Sequence, residues 1–170
     1  MANDWSEIVN RNAVLVAGSV RRIVGNNHDA EDVVQDVFLE AYRVSQKTEI
    51  ENWAGFLQRL ATRRAIDRLR IRGARPSVVP AREAGEIAGR SPQPHQNAMA
   101  RELAERLRKA IAMLPPSQAE VFCMRCFEEM TYEQIAGALG ISINAVGLAL
   151  HKSRSRLHAL LSETAAGEPL

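Results

Sequence analysis

Between residues 59 and 75 stand seven arginines, Arg59, Arg63, Arg64, Arg68, Arg70, Arg72 and Arg75, with Asp67 as the one acid and no lysine. The guanidinium fork suits phosphate oxygens and base edges alike, so this run points to nucleic acid. On a helical wheel Arg59, Arg63 and Arg70 share a face with Ile66, while Arg64, Arg68 and Arg72 form a second row at four-residue spacing. Upstream, Trp53, Phe56, Leu57 and Leu60 are apolar. The first half of this helix is therefore expected in a core, and the second half is expected to project as a cationic rod along nucleic acid. Just before it the sign reverses. Residues 29–51 carry Asp29, Glu31, Asp32, Asp36, Glu40, Glu49 and Glu51 against Arg43 and Lys47. A formal net charge of +2, from 22 Lys+Arg and 20 Asp+Glu, thus hides two opposite surfaces. The plainer alternative for each is a solvated helix face.

The most specific spacing lies in Thr131-Tyr-Glu-Gln-Ile-Ala-Gly-Ala-Leu-Gly-Ile-Ser-Ile-Asn-Ala-Val-Gly-Leu-Ala-Leu150. Thr131 with Gln134 has capping-box spacing and opens a helix. Ile135 and Leu139 form its apolar face, and Ala136 is small where a second helix must cross closely. Gly140 suits the left-handed conformation that ends a helix and turns sharply. Ile141 is expected to plug the turn, Ser142 to cap the next helix, and Val146 and Leu150 to pack that helix back. A plain helical hairpin shares the apolar spacing but needs neither the small residue, the glycine nor the cap. The pattern is that of a DNA-binding helix-turn-helix. Ser142, Ile143, Asn144, Gly147, Leu148 and His151 would then meet base edges, and Lys152, Arg154 and Arg156 would follow the phosphates.

Other chemistry finds less support. Cys123-Met-Arg-Cys126 is a lone CxxC. A zinc site needs two further ligands, and His151 and His158 lie outside the usual histidine spacing. A redox dithiol would sit near a βαβ pattern, which is missing. Cys123 is expected to pack with Val121 and Phe122 as a small core residue. His28-Asp29 is a helix start rather than half a triad, and no glycine-rich phosphate loop accompanies Asp32 and Asp36. No catalysis, metal or cofactor is expected.

The elements that must position these residues are helical. Ala30, Val33, Val34, Val37, Phe38, Ala41 and Tyr42 follow the i, i+3, i+4, i+7 pattern. A second helix should cover about residues 52–72. Residues 76–98 then bring Pro76, Pro80, Pro92 and Pro94 with Gly85 and Gly89, and neither leucine nor aromatic, as a flexible linker would. Helical pattern resumes near Ala100 with Leu103, Leu107, Ile111 and Leu114. Pro115-Pro116 breaks it, and helices follow over about 117–127, 132–139 and 143–161. The expected fold is all-α: two small helical domains joined by a linker. Hydrophobic content of 46% and charged content of 25% are those of a folded protein. The apolar run Ala13–Ala17 is too short to cross a bilayer, and its acidic front and Arg21-Arg22 rear oppose a secretory signal. It is expected to be a buried helix stripe. Two cysteines cannot build a disulfide scaffold, so a cytoplasmic protein without a membrane partner is expected.

Together these segments resemble a known family. Asp29-Ala-Glu-Asp-Val-Val-Gln-Asp-Val-Phe-Leu-Glu-Ala-Tyr42 resembles the core-polymerase-binding helix of bacterial sigma factors. Phe56-Leu57, Leu60-Ala61 and Ala65-Ile66-Asp67-Arg68-Leu69-Arg70 resemble the helix that engages the minus-ten promoter element. Leu114-Pro115-Pro116 and the helix-turn-helix resemble the domain that reads the minus-thirty-five element. The order and the linker resemble the extracytoplasmic-function (ECF) group, over about residues 5–162. The resemblance implies a region 2-like domain over 1–75, a linker over 76–98, a region 4-like domain over 99–162 and a tail over 163–170. It implies polymerase binding by Asp32, Gln35, Asp36, Leu39 and Glu40. Minus-ten contacts would come from Arg59, Arg63, Arg64, Asp67, Arg68 and Arg70. Its partners would be core RNA polymerase, promoter DNA and, as for many members, an anti-sigma factor. Phe56 stands where members often have Trp, and Arg63 where they have Asn. Ala145-Val-Gly-Leu-Ala149 replaces a Thr-Val-Lys-Ser-Arg-like run, implying minus-thirty-five contacts that are weaker, more apolar or differently specific. The rival functions are a stand-alone helix-turn-helix regulator that needs no polymerase, and a sigma-like adaptor that does not touch DNA.

Overall fold

The structure, a computed structural model, describes the backbone of residues 4–75 and 94–166, and the side chains of 4–75 and 96–163. Seven helices account for the regular structure among them: α1 (Trp5–Val24), α2 (Asn27–Ser45), α3 (Trp53–Ala74), α4 (Pro94–Ala112), α5 (Pro116–Cys126), α6 (Tyr132–Leu139) and α7 (Ile143–Ala166). The all-α expectation holds. None of the helices alone is long and apolar enough to cross a membrane.

The first three helices form one bundle. Each starts at a side-chain cap: Asp4 accepts from the Ser6 N–H, Asn26 from Asp29 and Asn52 from Gly55. Such caps satisfy amides that the first helical turn leaves unpaired. The core is built from Val16, Val20, Ile23 and Val24 of α1, Ala30, Val33, Val37 and Ala41 of α2, and Leu57, Ala61 and Ala65 of α3. The alanines let the helix axes approach closely. Trp5 closes one end, edge-on to Phe38, Tyr42 and Trp53. The run Ala13–Ala17 is not buried as a unit. Val16 is fully buried, whereas Val14, two residues away on the far side of α1, is 85% exposed.

The second unit is α4–α7. Its core contains Ile111, Leu114, Val121, Phe122, Cys123, Met124, Ile135, Val146, Leu150 and Leu157. Helix α4 begins inside the stretch expected to be linker. Pro94 sits at its first position, where a helix has no use for the missing N–H. Residues 76–93 lie outside the described residues.

The two units are not held apart. Helix α4 lies between α3 and α7, and α5 also touches α3. The C-terminal carbonyls of α1 receive arginines from both sides of this seam. Arg72 of α3 donates to Val24 O at 3.1 Å, and Arg108 of α4 donates to Ile23 O at 2.9 Å. Cations at a helix C-terminus are favourably placed against its dipole. Gly25 permits this cap twice over. Its φ is +82°, and a Cβ there would stand 2.2 Å from Arg108 Cζ.

Candidate polymerase and nucleic-acid interfaces

The helix-turn-helix is assembled as the spacing requires. Thr131 Oγ1 accepts from the Gln134 N–H at 3.2 Å, and Gln134 Oε1 accepts from the Thr131 N–H at 2.8 Å. This reciprocal box starts α6. Gly140 ends it at φ 66°. The Ser142 hydroxyl then accepts from the Ala145 N–H at 3.1 Å and caps α7. Val146 and Leu150 are buried beneath α7, as are Ile135 and Ala136 of α6. Ile141 differs from expectation: it is 38% exposed, while Ile135 and Val146 on either side of the turn are fully buried. On the outer side Ser142, Ile143, Asn144 and Leu148 are exposed and Gly147 is half-buried. His151, Lys152, Arg154 and Arg156 follow, all exposed. The first two turns of α7 therefore offer its amide end, one carboxamide and two exposed apolar side chains, with cations only further along.

On α2 the exposed strip is Gln35, Asp36 and Leu39, flanked by half-buried Asp32 and Glu40. The flanking acids are not free. Arg64 of α3 donates through Nε and Nη2 to Glu40. Arg68 lies 3.5 Å from Asp29 and 3.4 Å from Asp32. The second arginine row thus faces the acidic helix inside the same bundle, and the two opposite surfaces expected from the charge pattern partly neutralise each other.

The first arginine row is only partly covered, with Arg59 and Arg70 half-buried and Arg63 exposed. Ile66, at its centre, is only 2% exposed, so that face lies against α4 and α5 instead of projecting as a rod. Arg63 Nε lies 3.3 Å from Glu120 of α5. Arg70 donates to Leu114 O at 3.2 Å and lies 3.6 Å from Asp67. Arg59 carries a buried Nε with no hydrogen-bond partner. Burial raises the Glu120 carboxyl above its ordinary range, and attraction to Arg63, Arg59 and Arg70 only partly offsets this.

Missed altogether was Glu128, in the turn between α5 and α6. Its side chain is 1% exposed. Its Oε2 accepts from the Ser19 hydroxyl at 2.6 Å, the Arg22 guanidinium at 3.0 Å and the Gln58 amide at 3.3 Å. A left-handed Glu129, at φ 54°, shapes the turn that presents it. Glu128-Glu129 looks in sequence like an ordinary polar turn, and only partners 70 to 109 residues upstream distinguish it. Cys123 is buried, which pushes its thiol up and leaves it unreactive. No group of His, Cys, Asp and Glu able to hold a metal occurs among the described residues.

Two family profiles match the chain: Sigma-70 region 2 over residues 8–75 and Sigma-70, region 4 over residues 104–157. The chain belongs to the sigma-70 family. Its relatives point to the ECF group within it. The ECF RNA polymerase sigma factor SigE of Mycolicibacterium smegmatis is 30% identical over 94% of this chain, which spans 62% of that protein's length. SigW of Bacillus subtilis, another ECF sigma factor, is 28% identical over 84% of this chain and 80% of its own. In fold, the sigma factor resembles CnrH solved with the cytosolic domain of CnrY, at TM-score 0.56 and 22% identity, covering 95% of this chain and 91% of that one. It also resembles the sigma factor RpoE of Bartonella quintana, solved with the anti-sigma factor NepR, at TM-score 0.52 and 19% identity, over 94% and 97% of the two chains. A stand-alone regulator is not favoured, since the N-terminal bundle matches sigma region 2 rather than a sensing or dimerisation domain.

Proposed function

We propose that this sigma factor binds core RNA polymerase, carries it to promoters and assists their opening. The observation that carries this reading is the pairing of two matched units in one chain, region 2 with its arginine helix and region 4 with a capped helix-turn-helix. Gln35, Asp36 and Leu39, with Asp32 and Glu40 beside them, offer an exposed acidic and apolar strip for a basic polymerase surface. Arg59, Arg63, Arg64, Asp67, Arg68 and Arg70 serve the minus-ten element. The start of α7, from Ser142 to Leu148 with His151, reads the minus-thirty-five element, and Lys152 and Arg154 hold its phosphates. The chain works in the cytoplasm beside the polymerase, and bond formation belongs to the polymerase rather than to this chain. An anti-sigma factor is a further partner, by likeness to the RpoE that was solved with NepR.

Gel filtration with purified core polymerase tests the polymerase half of this function. The chain should co-elute with core. Elution as a free protein at micromolar concentrations of both would contradict it.

A further inference from the structure

The outward side of α7 carries a leucine where water favours polar groups. Val146, Leu150, Ser153 and Leu157 are buried and define the inward direction of the helix. At about 100° per residue, Leu148 points about 170° away from their mean direction. It stands at the centre of the outward side and is 55% exposed. Around it are Asn144, His151, Lys152 and Ser155, all exposed. Its sequence neighbours Gly147 and Ala149 are too short to shelter it. Leu148 is no part of the hydrophobic core that α7 shares with α5 and α6.

The surroundings narrow what covers this side chain. A stable protein interface takes roughly 800 Å² from each partner, with an apolar centre built from several side chains. One leucine ringed by an amide, an imidazole, a hydroxyl and an ammonium does not supply that centre. The same arrangement suits the major groove, which is about 12 Å wide and admits a helix. Its floor is lined with hydrogen-bond donors and acceptors, and the apolar exception is the C5-methyl of thymine. The Ser142 cap marks the end of α7 that enters, and Lys152, Arg154 and Arg156 lie further along, where phosphates run. Leu148 and Asn144 are four residues apart, about 6 Å along the axis at ~1.5 Å per residue. Base pairs are ~3.4 Å apart, so the two side chains address different base pairs.

We propose that Leu148 is a specificity-determining residue that packs on the C5-methyl of a thymine in the minus-thirty-five element. The inference rests on the proposed role of α7 at that element and adds which atom is read. Guanine or cytosine at the same position offers no methyl and leaves its hydrogen-bonding groups against carbon. Uracil keeps every pairing group of thymine and lacks only the methyl, so it isolates the contact. Loss of one buried methyl corresponds to about a fourfold loss of affinity.

The test uses the chain bound to core polymerase. A promoter with a randomised minus-thirty-five element is selected for binding, and the selected element is remade with deoxyuridine at one thymidine at a time. Selection should fix at least one A·T pair. At one position the wild-type holoenzyme should bind the deoxyuridine duplex about fourfold more weakly than the thymidine duplex. At that position Leu148→Ala should bind both duplexes alike, with the affinity that wild type has for deoxyuridine. Leu148 is exposed, so the variant should melt as wild type does, and the comparison of duplexes on wild type stands without it. A selected element without A·T pairs, equal wild-type binding to every pair of duplexes, or a difference that survives in Leu148→Ala would overturn the assignment. Loss of co-elution with core polymerase in Leu148→Ala would also overturn it, by placing the leucine at a protein contact. Binding indifferent to a scrambled minus-thirty-five element would instead contradict the role of α7 at that element, and the inference with it.

Discussion

Arg68 of α3 reaches Asp32 of α2 at 3.4 Å, so one residue expected at DNA and one expected at polymerase hold each other. The pair joins α2 to α3 and divides the acidic strip into a structural edge and an exposed centre. Asp36 belongs to the centre. Asp36→Arg should abolish co-elution with core polymerase and leave the melting temperature within about 1–2 °C, since exposed charges contribute little to folding. Asp32→Arg should weaken co-elution and also lower the melting temperature, because it turns an attraction to Arg68 into a repulsion. Equal melting temperatures with equal losses of binding would show that the pair has no structural part.

In the proposed function, α7 separates reading from holding. Asn144 can pair with adenine through two hydrogen bonds, worth roughly 1–3 kcal/mol of discrimination. Asn144→Ala should therefore change which minus-thirty-five sequences are selected from a randomised element. Lys152→Ala should weaken all of them alike and lower the salt slope of binding by about one unit. Unchanged selection with Asn144→Ala, together with altered selection with Lys152→Ala, would put α7 in the groove the other way round.

Two glycines in the helix-turn-helix should respond with opposite signs. Gly140 has φ 66° with open space around its Cβ position, so Gly140→Ala meets backbone strain alone. A cost of about 1–2 kcal/mol is expected, lowering the melting temperature by about 3–6 °C. Gly137 lies within α6, also in open space. Gly137→Ala should raise stability by about 0.4–1 kcal/mol through the unfolded chain. Thermal melts by circular dichroism read both.

Glu120 adds a pH dependence. Its folded-state pKa lies above the unfolded value because burial outweighs the pull of Arg63. The folded chain therefore holds this proton more tightly, and the contribution of Glu120 to stability falls as pH rises from the ordinary carboxyl range through the raised value. Above the raised value the cost is fully present. Glu120→Gln should melt about 1–3 °C higher than wild type at pH 7, and the gap should close near pH 4. A gap that is constant with pH would assign the effect to shape rather than charge.

The helix-turn-helix was legible down to individual hydrogen bonds because its signals are local. Thr131, Gln134, Gly140 and Ser142 each act within four residues of themselves. The acidic and arginine helices were legible as elements but not as surfaces. Their charges pair with each other and with α4 and α5, and such partners are distant in sequence. Ile66 carried a usable hint: an isoleucine at the centre of an arginine face is costly to expose, so its presence argues that something covers the face. The proline-rich stretch misled in the other direction. Proline inside a helix breaks it, but at the first position it does not, and α4 starts there. Glu128 offered no local signal, since its burial depends on Ser19, Arg22 and Gln58 arriving together.

Transcription in vitro addresses the sigma function itself. The template is a promoter found by mapping transcript starts after overexpression of the chain, and the reaction contains purified core polymerase with or without it. A sigma factor yields a transcript from the mapped start only when it is present, and the yield falls sharply with Asp36→Arg. No start-specific transcript, from a chain that binds the same DNA as a dimer without polymerase, would contradict the assignment.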